Sequence, residues 1–166
     1  MSAQQKGTIA CFSLGSNLGD RSGNLEAARR LMGERMGAVE RVSQVYETPP
    51  WGYDSGHAYY NCCLTIRTEI EPLLLMEMVL KIESELGRSR KAEGYADRSI
   101  DIDLLLFGDL VMDHPRLTLP HPRMEVRRFV LVPLAEILPE AIHPVLGRSI
   151  AELLNQCEDP SEISPV

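Results

Sequence analysis

Apolar residues fall along this chain with two alternating periods. The short apolar run "TIACFSLG" (8 to 15) predicts a strand. "SNLGDRSGNLEAARRLMGERMG" then predicts a loop running into a helix, with Leu25, Ala28, Leu31 and Met32 at helical spacing and Gly37 as its stop. "VERVSQVYET" (39 to 48) alternates as a strand does. "PPWGYDSGH" (49 to 57) has two prolines and two glycines and predicts a long exposed loop. A second strand over "AYYNCCLTIRTE" precedes a helix over "EPLLLMEMVLKIESELG", with Pro72 suited to the first turn and Gly87 past its end. A further strand carries "DIDLLLF". Strand–helix–strand–strand–helix–strand is the split βαβ order of a ferredoxin-like core. The predicted class is α+β, a βαββαβ core in which helices flank an antiparallel sheet as an α/β/α sandwich. After residue 108 short strands and one or two helices follow, with "VLVPLAEILPE" and "SIAELLNQC" as candidates. One domain over 1–166 is expected.

Composition narrows the class. The 166 residues are 44% hydrophobic and 25% charged, an ordinary globular balance. No run approaches the ~18 apolar residues of a membrane span, and "MSAQQKGTIACF" lacks a signal peptide's apolar segment. A cytoplasmic protein is expected. Cys11, Cys62, Cys63 and Cys157 show no metal spacing and read as reduced thiols. A net charge of −7 argues against a nucleic-acid partner. Positive charge is nonetheless concentrated: "RSRKAEGYADR" (88 to 98) nets +2 and "RLTLPHPRMEVRR" (116 to 128) nets +3. The two segments bracket a pair of acids.

That pair is Asp101 and Asp103, which interrupt a strand otherwise suited to the core. In an extended chain residues i and i+2 point the same way, so both carboxylates share a face. Like charges so close repel, and burial makes each costlier. Three readings stay open on spacing alone: idle exposure, pairing with a neighbour such as Arg98, or binding of divalent cations. Magnesium takes one or two carboxylates plus substrate phosphates, and two ions can clamp a transferring phosphoryl group. An anion such as a polyphosphate would explain arginines beside metal carboxylates, since guanidinium forks match phosphate oxygens. The chain has no GxxxxGK[ST] loop, no GxGxxG and no HRD or DFG signature. Tyr59 and Asn61 share a strand face beside the Pro-Pro-Trp-Gly loop. An aromatic beside a carboxamide suits a flat heterocycle, one stacking and the other bonding its edge; core packing and a turn cap are the bland alternative.

The motifs "GSNLGDR", "YETPPWG", "YYNC", "ELGRSRK", "RSIDIDLLLFG", "LPHPRM" and "RRFVLVPLAEI" follow one another in this order. From about Gly15 to Pro139 the chain thereby resembles the 6-hydroxymethyl-7,8-dihydropterin pyrophosphokinases of folate biosynthesis. The resemblance implies transfer of a pyrophosphoryl group from ATP to the pterin's hydroxymethyl oxygen, with release of AMP. It implies Asp101 and Asp103 as ligands of two Mg²⁺ ions, and Arg88 and Arg98 as arginines of closing loops that act on the phosphates. Arg90, Lys91, His121 and Arg127 would help hold the triphosphate; Glu83, Leu104, Arg116 and Thr118 fall near the nucleoside. Tyr59 and Phe129 would sandwich the pterin, and Asn61 would bond its edge. Thr48, Pro49 and Trp51 line its loop, and Tyr95 stands where some relatives carry tryptophan. ATP and the pterin are the expected partners of a monomer.

Some positions depart from the family pattern. Gly94, Ala96 and Asp97 stand where relatives often have a basic residue, then Gly-Pro; Gly56-His57 replaces a common Gln-Pro, and Glu125-Val126 a frequent His-Glu. Of the four histidines only His121 lies in a matched motif; His57, His114 and His143 read as surface or core residues. The sequence offers no obvious base for the attacking alcohol. Two rival readings are another Mg²⁺-dependent nucleotidyl- or phosphotransferase on the same sheet and a non-catalytic ferredoxin-like module binding a metabolite.

Overall fold

Strand β1 (Thr8–Ser16) is buried from Ala10 onward on both of its faces, which makes it the centre of a sheet. The computed structural model describes residues 6–87 and 97–166. β1 pairs antiparallel with β4 (Tyr59–Thr68) on one side and β5 (Asp101–Phe107) on the other. β2 (Ala38–Val42) and β3 (Tyr46–Thr48) both pair antiparallel along β4's far edge. A terminal β8 (Ser164–Pro165) adds to β3. This is the neighbour order expected of the ferredoxin-like core. β6 (Met112–His114) and β7 (Leu117–Leu119) form a separate hairpin.

Alternation of side chains sends each strand into two cores. On one face Phe12, Leu14, Leu64, Ile66, Ile102 and Leu104 meet α1 (Arg21–Arg35) and α2 (Pro72–Glu85). Leu25, Ala28 and Met32 of α1, and Leu75, Val79 and Ile82 of α2, are buried there, each large side chain contributing about 1.5–3 kcal/mol. The helices start at side-chain caps: Asp20 accepts from the Gly23 amide (3.0 Å) and Glu71 from the Leu74 amide (2.9 Å), with Pro72 in the first turn. On the other face Cys11, Cys63, Leu105 and Leu106 pack under α3 (Arg128–Ile137) and α4 (Ile150–Gln156). The neighbours Cys62 and Cys63 therefore enter opposite cores, and all four cysteines are free thiols. Burial pushes Cys11 and Cys62 up to about 12, which leaves them unreactive.

One predicted element divides. Residues 39 to 48 form two short strands rather than one. The register shifts between Val39 and Arg41, where the Arg41 amide turns to the Thr65 hydroxyl (3.1 Å). Ser43 keeps its amide on the Cys63 carbonyl (2.9 Å), but its Oγ rather than a backbone carbonyl accepts from the Cys63 amide (3.0 Å) and donates to the Gln44 carbonyl (2.7 Å). A bulge and a side-chain bond thus break a strand whose polarity still alternates.

The arrangement leaves one end of the second face uncovered. α3 lies over Cys11, Cys63 and Leu105, but the same face continues past its N-terminus to Gly15 on β1, Tyr59 and Asn61 on β4, and Asp101 and Asp103 on β5. Residues that would be core under a longer helix instead line a cleft.

Candidate active site

The cleft has a volume of about 220 Å³. Its floor is the sheet, from which Tyr59, Asn61, Asp101 and Asp103 project. One wall is the segment leaving β3, with Thr48, Pro49, Trp51 and Tyr53; the other is the approach to α3, with His121, Arg127 and Phe129, and Arg98 closes the remaining side.

Asp101 and Asp103 share a face as their spacing requires, and both are half-buried. Arg98 meets Asp101 (Nη1 to Oδ1, 3.1 Å), while His121 Nε2 lies 3.8 Å from Asp103 Oδ1. Burial pushes Asp103 up to about 7, the Asp101 charge adds to this, and Arg127 opposes it. Burial also holds His121 below its ordinary value, with Arg127 adding to the effect. At neutral pH this imidazole is predominantly neutral. Among the described residues no group of three His, Cys, Asp or Glu side chains could hold a metal ion by itself. Two hard carboxylates on one face fit a magnesium ion whose other ligands come from water and phosphate.

Arg127 supplies a second indication of an anion. Its guanidinium stacks 4.7 Å from the Trp51 ring centre and 5.9 Å from that of Phe129. Its buried Nε has no hydrogen-bond partner among the described residues. A buried guanidinium nitrogen left without an acceptor is costly unless an oxyanion meets it.

Asn61 is already oriented. Its Nδ2 donates to Thr48 Oγ1 at 2.5 Å, which fixes the amide plane and turns Oδ1 toward Gly15. Tyr59 is partly buried, and desolvation together with the Tyr53 hydroxyl, 3.0 Å away, keeps its phenol firmly protonated. Phe129, in the first turn of α3, faces the same cleft.

Every expected pterin and metal residue among those described therefore converges on one cleft: Thr48, Pro49, Trp51, Tyr59, Asn61, Phe129, Asp101 and Asp103, with Arg98, His121 and Arg127. Glu83, Leu104, Arg116 and Thr118 lie outside it. Glu83 is buried beneath β5, where its carboxylate accepts from the Ile102 amide (3.0 Å). The Leu104 side chain is in the core, so only its backbone can meet a ligand. Arg116 and Thr118 belong to the β6–β7 hairpin, Thr118 exposed and Arg116 meeting Glu77 at 3.3 Å. Arg88, Arg90, Lys91 and Tyr95 lie outside the described residues, as do Gly94 and Ala96.

Two residues that build the site, Asn17 and Tyr53, escaped the sequence reading. Asn17 takes the Arg98 amide on its Oδ1 (2.6 Å), and its Nδ2 donates to Asp97 Oδ1 (2.8 Å) and to the His57 carbonyl (3.1 Å). The Tyr53 hydroxyl also donates to Asp97 Oδ1 (3.1 Å). Asp97 is therefore spent on its neighbours: bonds from Ser55, Asn17 and Tyr53 hold its carboxyl below the usual range. The acid that departs from the family pattern joins two loops. Only the place of Asn17 in "GSN" and of Tyr53 near Trp51 hinted at this; the partners that join these loops are 36 to 81 residues apart in the chain.

Comparison with known proteins fixes the family. Residues 11–139 match the model of the 7,8-dihydro-6-hydroxymethylpterin-pyrophosphokinases. The chain belongs to this family. It is 43% identical over 139 residues to the 2-amino-4-hydroxy-6-hydroxymethyldihydropteridine pyrophosphokinase of Porphyromonas gingivalis, covering 82% of this chain and 94% of the relative. The enzyme of the same name from Bacillus subtilis is 42% identical over 130 residues, 78% of this chain and 77% of that one. Among solved structures, the HPPK-DHPS chain of Plasmodium falciparum with pterin and p-hydroxybenzoate matches with a TM-score of 0.73 at 20% identity. That match covers 94% of this chain but only 42% of the longer one, and it shows the shared fold. This pyrophosphokinase transfers pyrophosphate from ATP to hydroxymethyldihydropterin in folate biosynthesis. No helix among the described residues is long and apolar enough to cross a membrane.

Proposed function

We propose that this chain, as a single domain over 1–166 and as a monomer, carries out that transfer with two Mg²⁺ ions, and that the cleft over β5, β1 and β4 holds both substrates. The observation that carries this reading is the placement of the carboxylate pair and the Tyr59–Asn61 pair on one uncovered stretch of sheet. Asp101 and Asp103 would hold the magnesium ions with the phosphates of ATP. When bound, the ions supply neutralisation of the polyphosphate charge.

The chain's own residues do the positioning. Arg127, with its Nε lacking an acceptor, and His121 would meet triphosphate oxygens on the α3 side. Arg90 and Lys91 join them by family resemblance alone. Arg98 would exchange its contact with Asp101 for a phosphate, and Arg88 would act beside it. Glu83, beneath β5, and the Leu104 backbone, with Arg116 and Thr118 on the hairpin, would bound the nucleoside. Tyr59 and Phe129 would enclose the flat pterin ring. Asn61, pinned by Thr48, would bond its edge, and Pro49, Trp51 and Tyr95 would complete its surroundings. The hydroxymethyl oxygen would attack the β-phosphorus of ATP; the bond from that phosphorus to the α,β-bridging oxygen breaks, AMP leaves with that oxygen, and the β- and γ-phosphates pass to the pterin. Catalysis rests on alignment and electrostatic stabilisation, as in phosphoryl transfer generally. Incubation with ATP, Mg²⁺ and 6-hydroxymethyl-7,8-dihydropterin should yield AMP and the pterin diphosphate. ADP as the nucleotide product, or turnover undiminished by chelation of magnesium, would overturn the reading.

A further inference from the structure

Residues 140 to 166 lie beyond the stretch matched to the family, yet the last of them bond to residues adjoining both walls of the cleft. After α4, which packs against α3, the chain runs back to the first turn of α3. There Asp159 Oδ2 accepts from the Arg128 amide at 3.0 Å. Arg128 is the first residue of α3, and its neighbours Arg127 and Phe129 line the cleft. The residue at the helix's own cap position, Arg127, makes no side-chain capping bond. Asp159 supplies from a distance the acceptor that the local sequence lacks, and a carboxylate there also suits the positive end of the helix. Its orientation is fixed in turn: Oδ1 accepts from the Ser161 amide (3.0 Å) and hydroxyl (2.6 Å). Burial alone would raise this carboxyl, but the Ser161 bonds and the Arg128 amide hold it below its ordinary value.

Five residues further on, β8 pairs with β3, setting Pro165 opposite Tyr46 and Ser164 opposite Glu47. The Val166 amide donates to the Val45 carbonyl at 2.9 Å. β3 ends at Thr48, which orients Asn61. One short segment thus bonds to the first turn of α3 on one side of the cleft and to β3 on the other.

We infer that Asp159 is a positioning residue for the pterin subsite, acting through the Arg128 amide to hold Phe129 at a set distance from the Thr48–Asn61 wall. The inference rests on the reading of Tyr59, Asn61 and Phe129 as that subsite. Loss of a capping carboxylate frays a helix's first turn, and the residues on that turn lose their fixed place. His121, on the same wall but ahead of α3, is held by the Pro122 carbonyl (2.8 Å) and lies against Asp103, outside that helical turn.

The test is calorimetric titration of 6-hydroxymethyl-7,8-dihydropterin into the full chain saturated with Mg²⁺ and a non-hydrolysable ATP analogue, beside a titration of the analogue alone and a melting curve. Asp159→Ala should weaken pterin binding by about three- to tenfold, the loss expected for one cap. The analogue's affinity should fall by clearly less than the pterin's: Arg127 adjoins Arg128 and shares part of the disturbance, but Arg98, His121 and the two carboxylates do not lie on that turn. Asp159→Asn, which keeps one acceptor oxygen, should fall between Asp159→Ala and wild type. Ser161→Ala, which leaves the Asp159–Arg128 bond in place, should bind pterin as wild type does. Unchanged pterin affinity in Asp159→Ala, equal losses for both ligands, or the same loss in Ser161→Ala would each overturn the inference. Wild-type protein that binds no pterin would instead overturn the reading of the cleft on which it stands.

Discussion

Asn61 and Asp101 stand on either side of Gly15, each its Cα partner across one neighbouring strand. Adjacent strands are about 4.8 Å apart, so roughly 10 Å of sheet separates the two backbones. Gly15 gives that span no side chain. The pterin-binding amide and the metal-binding carboxylate of the proposed site thus flank a bare strip, over which a hydroxymethyl group and a phosphate can meet.

Gly15→Ala tests this strip. A Cβ there would lie 2.5 Å from Asn61 Oδ1 and 3.3 Å from Tyr59 Cδ1. Asn61 cannot simply swing away, because Thr48 holds its other end. The variant should fold, since its backbone is ordinary strand, yet lose pterin affinity by about tenfold or more for one displaced buried hydrogen bond. Isothermal titration beside a melting curve checks it; wild-type pterin affinity would show that Asn61 does not read the ring.

The carboxylates should separate function from stability. Asp101→Asn and Asp103→Asn should each cut turnover by about two orders of magnitude or more, the scale of losing a site for transition-state charge stabilisation. The protein without ligands should melt at the same temperature or slightly higher, because one of two repelling charges is gone. Steady-state rates and thermal melts decide, and marked unfolding in either variant would make the pair structural.

The raised Asp103 value also fixes a pH dependence. Between its ordinary value of 3.8 and its folded value of about 7, the folded chain retains a proton that the unfolded chain has lost. Stability of the unliganded protein should therefore fall as pH rises through that window and level off above it. His121, held below its ordinary value, contributes the opposite slope over part of the same range. The useful quantity is consequently the difference between Asp103→Asn and wild type. It should be small near pH 4, grow in favour of the variant toward pH 7, and then stay constant in denaturant titrations. A flat difference would place Asp103 in the ordinary carboxylate range.

Phe129→Ala separates the two ligands. Removing one aromatic face from a stacked ring costs on the order of 1–3 kcal/mol, so pterin binding should weaken by about ten- to a hundredfold. Mg²⁺-ATP affinity measured without pterin should barely change, although Arg127 loses one of its two ring contacts. Equal loss of both affinities, with a lowered melting temperature, would return Phe129 to the core.

Much of this protein was decided locally. The period-2 face of "DIDLLLF" places Asp101 and Asp103 together in any extended chain, and the helical stripe of Leu25, Ala28 and Met32 needs only one apolar surface to cover it. The order of elements then restricts the topology to a ferredoxin-like sheet. What the sequence could not display was every relationship that depends on where a helix stops over a sheet. The length of α3 leaves Tyr59, Asn61 and the acids uncovered while Cys63 and Leu105 beneath it are core. The bulge that divides residues 39 to 48 needs Thr65 and Ser43 brought to one edge, and the bonds of Asn17 to Asp97 and of Asp159 to Arg128 join residues 80 and 31 positions apart. Periodicity records which way a side chain points from its own backbone. Which donor waits for it there is set only when distant segments pack, because hydrogen bonds act over about 3 Å of space and are indifferent to separation along the chain.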